Sequence, residues 1–291
     1  MFPNNFDYYA PTSLNEVMSL LQSNSGDVKL LAGGQSLLPL MKLRLADYAA
    51  LVDVAKVPEL RGIAEEANSI VLGAMTTYFQ AIDSDVVQRR CPLITQTLRQ
   101  VGDPQVRARG TIGGSLAHAD PAGDLPAVAV ALDAQIGTFG PGGQRSIPAA
   151  SFFTDLLTTA LQENEVLTAV RFAATNTPHT GTAYVKHRHP ASGYAVVGVA
   201  VIVRLNDDGT CAEARVGVTG AGTHATRASG VEQALRGQVL DEATIGSAAG
   251  QAANGLDLLS DPYASKDFRA HLTQVMTRRA LAQAAEAARQ A

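Results

Sequence analysis

Ala32-Gly33-Gly34-Gln35-Ser36 and Thr111-Ile112-Gly113-Gly114-Ser115 repeat one design, two adjacent glycines followed at once or after one residue by a hydroxyl side chain. Backbone without Cβ atoms lets an oxyanion approach several N–H groups together, so either stretch suits a phosphate and the pair suits the diphosphate of a dinucleotide. Ser36, Thr111 and Ser115 would add hydroxyl donors, and a helix starting after either loop would aim its positive end at the phosphates. Taken singly, each stretch reads first as a tight turn; their likeness to each other is what favours a shared ligand. Neither is a Walker A sequence, for no Gly-Lys-Ser or Gly-Lys-Thr follows, and neither has the Gly-x-Gly-x-x-Gly of a Rossmann turn. Gly220-Ala221-Gly222-Thr223-His224-Ala225 comes nearer to that turn, but the strand before it belongs to an antiparallel hairpin.

Working outward, residues 28–31 form a short apolar strand that runs straight into the first glycine stretch. An extended segment at 2–9 precedes it, followed by a helix that opens at Pro11, Thr12 and Ser13. Ser13 and Glu16 fit a capping box, Leu14, Val17, Met18 and Leu21 share one face, and Gly26 ends the element. Residues 37–45 and a strand at 51–54 complete this region. A second begins near Pro58, with a strand at 70–73, helical stretches at 78–84 and 92–101, and the second glycine loop. Asp124 is expected to cap a helix at 125–132, and strands at 135–139 and 166–172 flank a turn at 140–143. Residues 173–182 carry no apolar periodicity and read as a linker. Beyond them come a strand at 183–186, a strong hairpin signal at 195–205 and 211–219 around Asn206-Asp207-Asp208-Gly209, and helical sequence from Arg227 to the Ala-rich 268–289. The expectation is an α+β chain divided at 1–55, 56–175 and 176–291.

Of the 291 residues, 46% are hydrophobic and 17% charged, and 23 Lys and Arg against 27 Asp and Glu leave a net charge of −4. Disorder and nucleic-acid binding are both disfavoured by that balance. No stretch approaches 18 uncharged apolar residues, and residues 1–12 lack the apolar core of a signal peptide, so a cytoplasmic protein is expected. Cys91 and Cys211 stand apart with no Cys-x-x-Cys spacing, so this chain cannot build a thiolate iron–sulfur cluster alone. His118, Asp120 and Asp124, or His187 and His189, offer metal donors. Pro190 follows His189 at once and no third ligand is identifiable, so hydrogen-bonding or solvated roles are expected. No nucleophile elbow is present.

Residues 30–46, Leu-Leu-Ala-Gly-Gly-Gln-Ser-Leu-Leu-Pro-Leu-Met-Lys-Leu-Arg-Leu-Ala, resemble one signature stretch of the FAD-binding medium subunits of molybdenum hydroxylases. Residues 103–126, Asp-Pro-Gln-Val-Arg-Ala-Arg-Gly-Thr-Ile-Gly-Gly-Ser-Leu-Ala-His-Ala-Asp-Pro-Ala-Gly-Asp-Leu-Pro, resemble the other. This is the carbon monoxide dehydrogenase and xanthine dehydrogenase family. The likeness extends to Phe6-x-Tyr8-x-x-Pro11-Thr12-Ser13-Leu14-x-Glu16 and to Arg227-Ala228, Glu232, Leu235 and Gly237, so it covers nearly the whole chain.

The resemblance implies a vanillyl-alcohol-oxidase-type FAD-binding fold of two α+β subdomains, followed by a C-terminal domain of β-sheet and helices. It places Ala32, Gly33, Gly34, Gln35 and Ser36, with Thr111, Gly113, Gly114 and Ser115, at the FAD diphosphate. It also has Asp124 contacting the cofactor, Lys186 and Tyr194 beside the isoalloxazine, and Leu31, Val101 and Leu167 giving backbone or apolar contacts. An aromatic ring can stack on the flavin, and a nearby cation favours its anionic reduced form. The implied partners are a large molybdenum-cofactor subunit and a small [2Fe–2S] subunit, arranged as a dimer of heterotrimers, with an external electron acceptor. Two departures stand out: Gln35 where some carbon monoxide-oxidising members have His, and Gly193 where many members have Asp. They leave FAD in place and remove the grounds for carbon monoxide. The competing readings are a self-contained flavin oxidase, disfavoured because no substrate base stands out, and a flavin-less assembly subunit, disfavoured because both glycine loops are intact.

Overall fold

The computed structural model describes residues 2–23 and 26–291, and Gly26, expected to end the first helix, takes φ +98°. The chain is α+β, as expected. Its first sheet has the order β1-β3-β2, from β1 (Asp7–Tyr9), β2 (Val28–Leu31) and β3 (Ala50–Asp53), and both pairings are parallel. Parallel strands need crossover connections, and helix α1 (Leu14–Ser23) carries the chain from one edge strand, β1, to the other, β2, while burying Val17, Met18 and Leu21. The extended segment at 2–9 is a strand only over the three residues that pair with Ala50, Leu51 and Val52. The capping box is shifted on one side. Glu16 N–H donates to Ser13 Oγ at 3.2 Å, but the Glu16 carboxylate accepts from Thr12 N–H at 2.7 Å, not from Ser13. Helix α2 (Leu37–Lys42) follows the first glycine stretch.

The second sheet contains β4 (Ile63–Glu65), β5 (Ser69–Gly73), β6 (Gln135–Gly140), β7 (Gly143–Pro148) and, after the small ribbon β8 (Phe153–Asp155) and β9 (Thr158–Thr159), β10 (Val166–Ala173). Its order is β4-β5-β10-β6-β7, with every pairing antiparallel. The turn at 140–143 therefore joins β6 to β7, a strand the sequence reading missed. β7 is an edge strand with Gly and Pro at its ends and only Ile147 buried, so it carries no alternation to read.

Between β5 and β6 lie α3 (Tyr78–Asp83), α4 (Asp85–Arg90), α5 (Pro92–Leu98), α6 (Pro104–Arg109), α7 (Ile112–His118) and α8 (Asp124–Ala131), with the short α9 (Ala149–Phe152) after β7. Leu93, Ile94, Leu98, Leu116, Val128 and Phe172 are among the residues that form their common core. The second glycine stretch is not a free loop: Thr111 is the N-cap of α7 and the glycines make its first turn.

The third sheet is an antiparallel meander of β11 (Thr180–Arg188), β12 (Ala195–Leu205), β13 (Cys211–Thr219) and β14 (Thr226–Arg227). β11 begins inside the expected linker because Thr180 is already in register with Arg204. The Asn206–Gly209 turn closes with Gly209 at φ +81°, which an L side chain would resist. Helical structure starts after Arg227, with α10 (Ser229–Leu235), α11 (Glu242–Ala249) and α12 (Lys266–Gln290). β12 is buried on both faces: Ala200 and Ile202 join the core around α5 and α8, while Val197, Val199, Val201 and Val203 join the core under α12. Its run of small β-branched residues fits that sandwiched place. Two glycines let helices lie close on this sheet. A Cβ at Gly181 would fall 2.0 Å from Ala284 O of α12, and one at Gly217 would fall 2.1 Å from Ala127 O of α8.

Candidate functional site

Strand β2 delivers the chain into Ala32–Ser36, where Gly34 takes φ +73° and Gln35 Nε2 reaches back to Gly33 O at 3.5 Å. Among the described residues, none accepts a hydrogen bond from the backbone N–H groups of Gly33, Gly34, Gln35 or Ser36. Ser36 occupies the N-cap position of α2 without using its hydroxyl as a cap. A run of unpartnered donors at a turn is an anion-binding concavity.

The second stretch differs. Ile112 N–H donates to Thr76 O at 2.9 Å, Gly113 N–H to Ala74 O at 2.9 Å, and Gly114 N–H to Thr111 Oγ1 at 3.1 Å. Those donors are used inside the protein, so the expected symmetry of two phosphate cradles is not present. The glycines here serve close packing. A Cβ at Gly113 would lie 2.5 Å from Ala74 Cβ, and one at Gly114 would lie 2.6 Å from Thr111 Oγ1 and 3.6 Å from Ala32 Cβ. Gly33 behaves likewise, since its Cβ would meet Arg109 O at 2.1 Å. The two motifs, far apart in the chain, are thus pressed against each other.

A cavity of about 420 Å³ opens along this seam, lined among others by Ala32, Gly33, Arg61, Thr77, Gln80, Arg109 and Thr111. Its lining includes two arginines and no acidic residue, a balance that favours an anion. A shallower depression of about 470 Å³ at Pro178, His179 and Asp207 contains none of the expected site residues.

Asp124 does not cap α8. Gly123 is the N-cap, and the Asp124 carboxylate turns away to accept from Tyr184 Oη at 2.5 Å and Lys186 Nζ at 2.9 Å. The group is 6% exposed, and a buried carboxylate is stable only where such donors reach it; the helix N–H groups alone would leave Lys186 unpaired. Burial raises the Asp124 pKa above the usual carboxylate range, opposed by the Lys186 ammonium and the Tyr184 hydroxyl. Burial also lowers that of Lys186, opposed by Asp124. The third sheet holds this helix start in place. Thr219 Oγ1 donates to Pro121 O and Gly123 O at 2.8 Å each, and Gly220 N–H donates to Pro121 O at 2.7 Å.

Tyr194 stands in the loop before β12, 45% exposed, with Ser36, Asp120 and Asp124 in electrostatic reach. Partial burial and the two carboxylates raise its phenol pKa while Ser36 lowers it. Ser115 reaches Tyr78, a buried phenol that desolvation pushes up to about 12. Ser36, Ser115, Asp124, Lys186 and Tyr194 therefore gather in one place. The three apolar residues are more peripheral. Leu31 ends β2 with Cδ1 3.4 Å from where a Gly34 Cβ would sit, Val101 O accepts from Arg107 Nη1 at 2.9 Å, and Leu167 is buried in β10. Sequence reasoning overlooked Tyr184 and Tyr78. Tyr184 had a signal, since it is two residues from Lys186 on a strand and shares its face. Tyr78 had none, because it meets Ser115 across 37 residues of chain, where its N–H also donates to Gly110 O at 2.9 Å.

Of the histidines considered as metal donors, His187 meets Phe268 edge-on at 6.1 Å with its Nε2 buried and without a hydrogen-bond partner among the described residues, His189 lies 4.5 Å from Tyr263, ring centre to ring centre, and His118 Nε2 lies 4.0 Å from Asp120 Oδ2. Cys91 and Cys211 are buried, and desolvation pushes their thiols up to about 12 and about 11. Neither is poised to become a thiolate ligand.

Comparison with known proteins joins these features. Residues 4–174 match the FAD binding domain in molybdopterin dehydrogenase, and residues 182–284 match the CO dehydrogenase flavoprotein C-terminal domain. The chain is 39% identical to the carbon monoxide dehydrogenase medium chain of Hydrogenophaga pseudoflava over 97% of both chains. It is 35% identical to the 6-hydroxypseudooxynicotine dehydrogenase complex subunit alpha of Paenarthrobacter nicotinovorans, over 99% of this chain and 97% of that one. The solved structure of Hydrogenophaga pseudoflava carbon monoxide dehydrogenase lacking the Mo-pyranopterin moiety superposes with a TM-score of 0.94 at 40% identity, over 98% of each chain. This chain belongs to the family of FAD-binding medium subunits of molybdenum hydroxylases, the flavoprotein components of molybdenum-dependent dehydrogenases.

Proposed function

We propose that this chain is the electron outlet of a heteromeric molybdenum hydroxylase. Electrons leave the substrate at the molybdenum cofactor of a large partner subunit, pass through [2Fe–2S] clusters of a small partner subunit, and reach an external acceptor by way of FAD held here. The assembly is a dimer of such heterotrimers, in the cytoplasm. FAD supplies the exchange between electron pairs and single electrons.

The observation that carries this reading is the run of unpartnered N–H groups from Gly33 to Ser36 next to the Ser36, Tyr194, Asp124 and Lys186 cluster. Those four N–H groups, with the Ser36 hydroxyl, would hold the diphosphate. Thr111, Gly113, Gly114 and Ser115 form the opposing wall and fix its distance through their contacts with Ala32 and Ala74. Tyr194 would cover the ring with its exposed face, and the buried Asp124–Lys186 pair would set the charge behind it. Leu31, Val101 and Leu167 complete the apolar lining. With both thiols buried and protonated, the clusters belong to a neighbour.

The test is to purify the tagged chain with whatever it assembles with and to assay flavin, iron and molybdenum. Stoichiometric FAD, co-purifying chains carrying iron and molybdenum, and flavin bleaching only in the assembled complex are expected. An FAD-loaded chain that is bleached by substrate with no partner present would refute the outlet role, as would an assembly without flavin.

A further inference from the structure

The phenol of Tyr184 has been given no role toward the cofactor, yet it donates to Asp124 Oδ1 at 2.5 Å. Lys186 Nζ lies 2.9 Å from the same oxygen and 3.0 Å from Oδ2. All three are withdrawn from water: Tyr184 is 4% exposed, Asp124 6%, and the Lys186 side chain 0%. The fold reserves room for this one hydroxyl. Gly198, in register with Lys186 on the neighbouring strand, has no Cβ, and one built there would fall 2.4 Å from Tyr184 Oη. The Tyr184 backbone is tied down as well, its carbonyl accepting from Gln100 Nε2 at 2.9 Å. A phenylalanine would fill the ring's space, so the hydroxyl is present for its hydrogen bond.

We propose that Tyr184 is a positioning residue: its O–H holds the Asp124 carboxylate in the orientation that pairs with Lys186, and so sets how much of that pair's charge the flavin feels. This rests on the reading that the flavin ring lies beside Lys186 and Tyr194. A short charge-assisted hydrogen bond stabilises the ionised carboxylate. Without it, one oxygen of a buried carboxylate loses a donor and binds a proton more readily. A protonated Asp124 would leave the Lys186 ammonium uncompensated, and an uncompensated cation eases reduction of a flavin. The charged and titratable groups that face Asp124 are Lys186, Tyr184 and Arg188 from β11, Tyr78 from α3, and Tyr194 from the loop before β12.

The experiment compares Tyr184→Phe, Gly198→Ala and Lys186→Gln with the unaltered chain in the assembled enzyme. It follows the flavin midpoint potential against pH by spectroelectrochemistry, with thermal unfolding alongside. Protonation of Asp124 appears as a rise in potential on acidification beyond the flavin's own slope. In Tyr184→Phe that rise should begin about one pH unit higher, the size of a hydrogen bond to a charged group, with little change in unfolding temperature. Gly198→Ala, which keeps the phenol but displaces its hydroxyl, should move the rise in the same direction. If both overlay the unaltered enzyme while Lys186→Gln shifts the potential, the positioning role is wrong and the flavin's place stands. If Lys186→Gln also overlays it, the flavin does not lie beside this pair and both readings fall.

Discussion

Alanine at position 33 would put a Cβ 2.1 Å from Arg109 O, 2.9 Å from Arg109 C and 3.1 Å from Gly110 Cα. Non-bonded heavy atoms rest about 3.5 Å apart, so the two segments must part by more than about 1 Å. None of the three atoms can swing aside as a side chain could. Arg109 ends α6, and Gly110 is held on both sides, its N–H on Val106 O at 2.7 Å and its carbonyl by Tyr78 N–H at 2.9 Å. Overpacking of this kind costs about 1–3 kcal/mol, and if it is relieved by opening the seam the FAD dissociation constant rises roughly 5- to 150-fold. Gly114→Ala is the control. Its Cβ would lie 2.6 Å from Thr111 Oγ1, the end of a rotatable side chain, and 3.6 Å from Ala32 Cβ, an ordinary contact. Moving Thr111 sacrifices one N-cap bond, about 1 kcal/mol, partly offset because alanine suits a helix better than glycine. Release of flavin from the assembled enzyme, followed by its fluorescence on dilution, should therefore rank Gly33→Ala well above Gly114→Ala. Flavin retention by Gly33→Ala equal to the unaltered enzyme, or a greater loss from Gly114→Ala, would refute the argument that loop-on-loop closure sets the site.

Three further outcomes concern stability. Glu165 takes hydrogen bonds from Arg145, Gln162 and Thr138, and the Arg145 guanidinium above all lowers its pKa from 4.5 to about 2. A depressed carboxyl stabilises the fold above its unfolded value and loses that contribution as pH falls from 4.5 toward 2, here about 2–3 kcal/mol. Urea midpoints at about pH 6 and about pH 3 should thus fall less in Glu165→Gln than in the unaltered chain; parallel losses would contradict the assignment. Arg269, 6% exposed, donates to Val196 O at 2.7 Å and Gly220 O at 2.6 Å and pairs with Asp261. Arg269→Met strips two carbonyls of their donor, and thermal unfolding should report a loss of about 2–4 kcal/mol; unchanged stability would show that those carbonyls find other donors. Gly217→Ala should cost about 1–3 kcal/mol by pushing the sheet off Ala127 O, read as a lower urea midpoint, and no loss there would mean that α8 slides without penalty.

Much of the architecture is legible in local pattern. Gly209 in an Asn-Asp-Asp-Gly turn between two β-branched runs dictates the β12–β13 hairpin, and the Ala-rich stretch dictates α12, because turn geometry and helix propensity act over a few residues. Edge strand β7 escaped notice for the converse reason: its residues have no strand-like pattern, and only pairing with β6 makes them extended.

The paired glycine motifs, and through them the family, were determined by sequence alone. What the glycines do was decided by tertiary structure. Alike in pattern, one motif keeps N–H groups that meet no acceptor among the described residues, while the other spends them on Ala74, Thr76 and Thr111, and the carbonyls of Ala74 and Thr76 come from distant chain. Asp124 shows the same division. Its position ahead of an apolar run reads as a helix cap, yet Tyr184 and Lys186, brought over by the third sheet, offer a buried carboxylate a phenol and an ammonium in place of peptide N–H groups. Chain-local chemistry names the groups that can bond; which bonds form depends on the partners that long-range packing brings within 3 Å, and a buried charge takes the strongest of them.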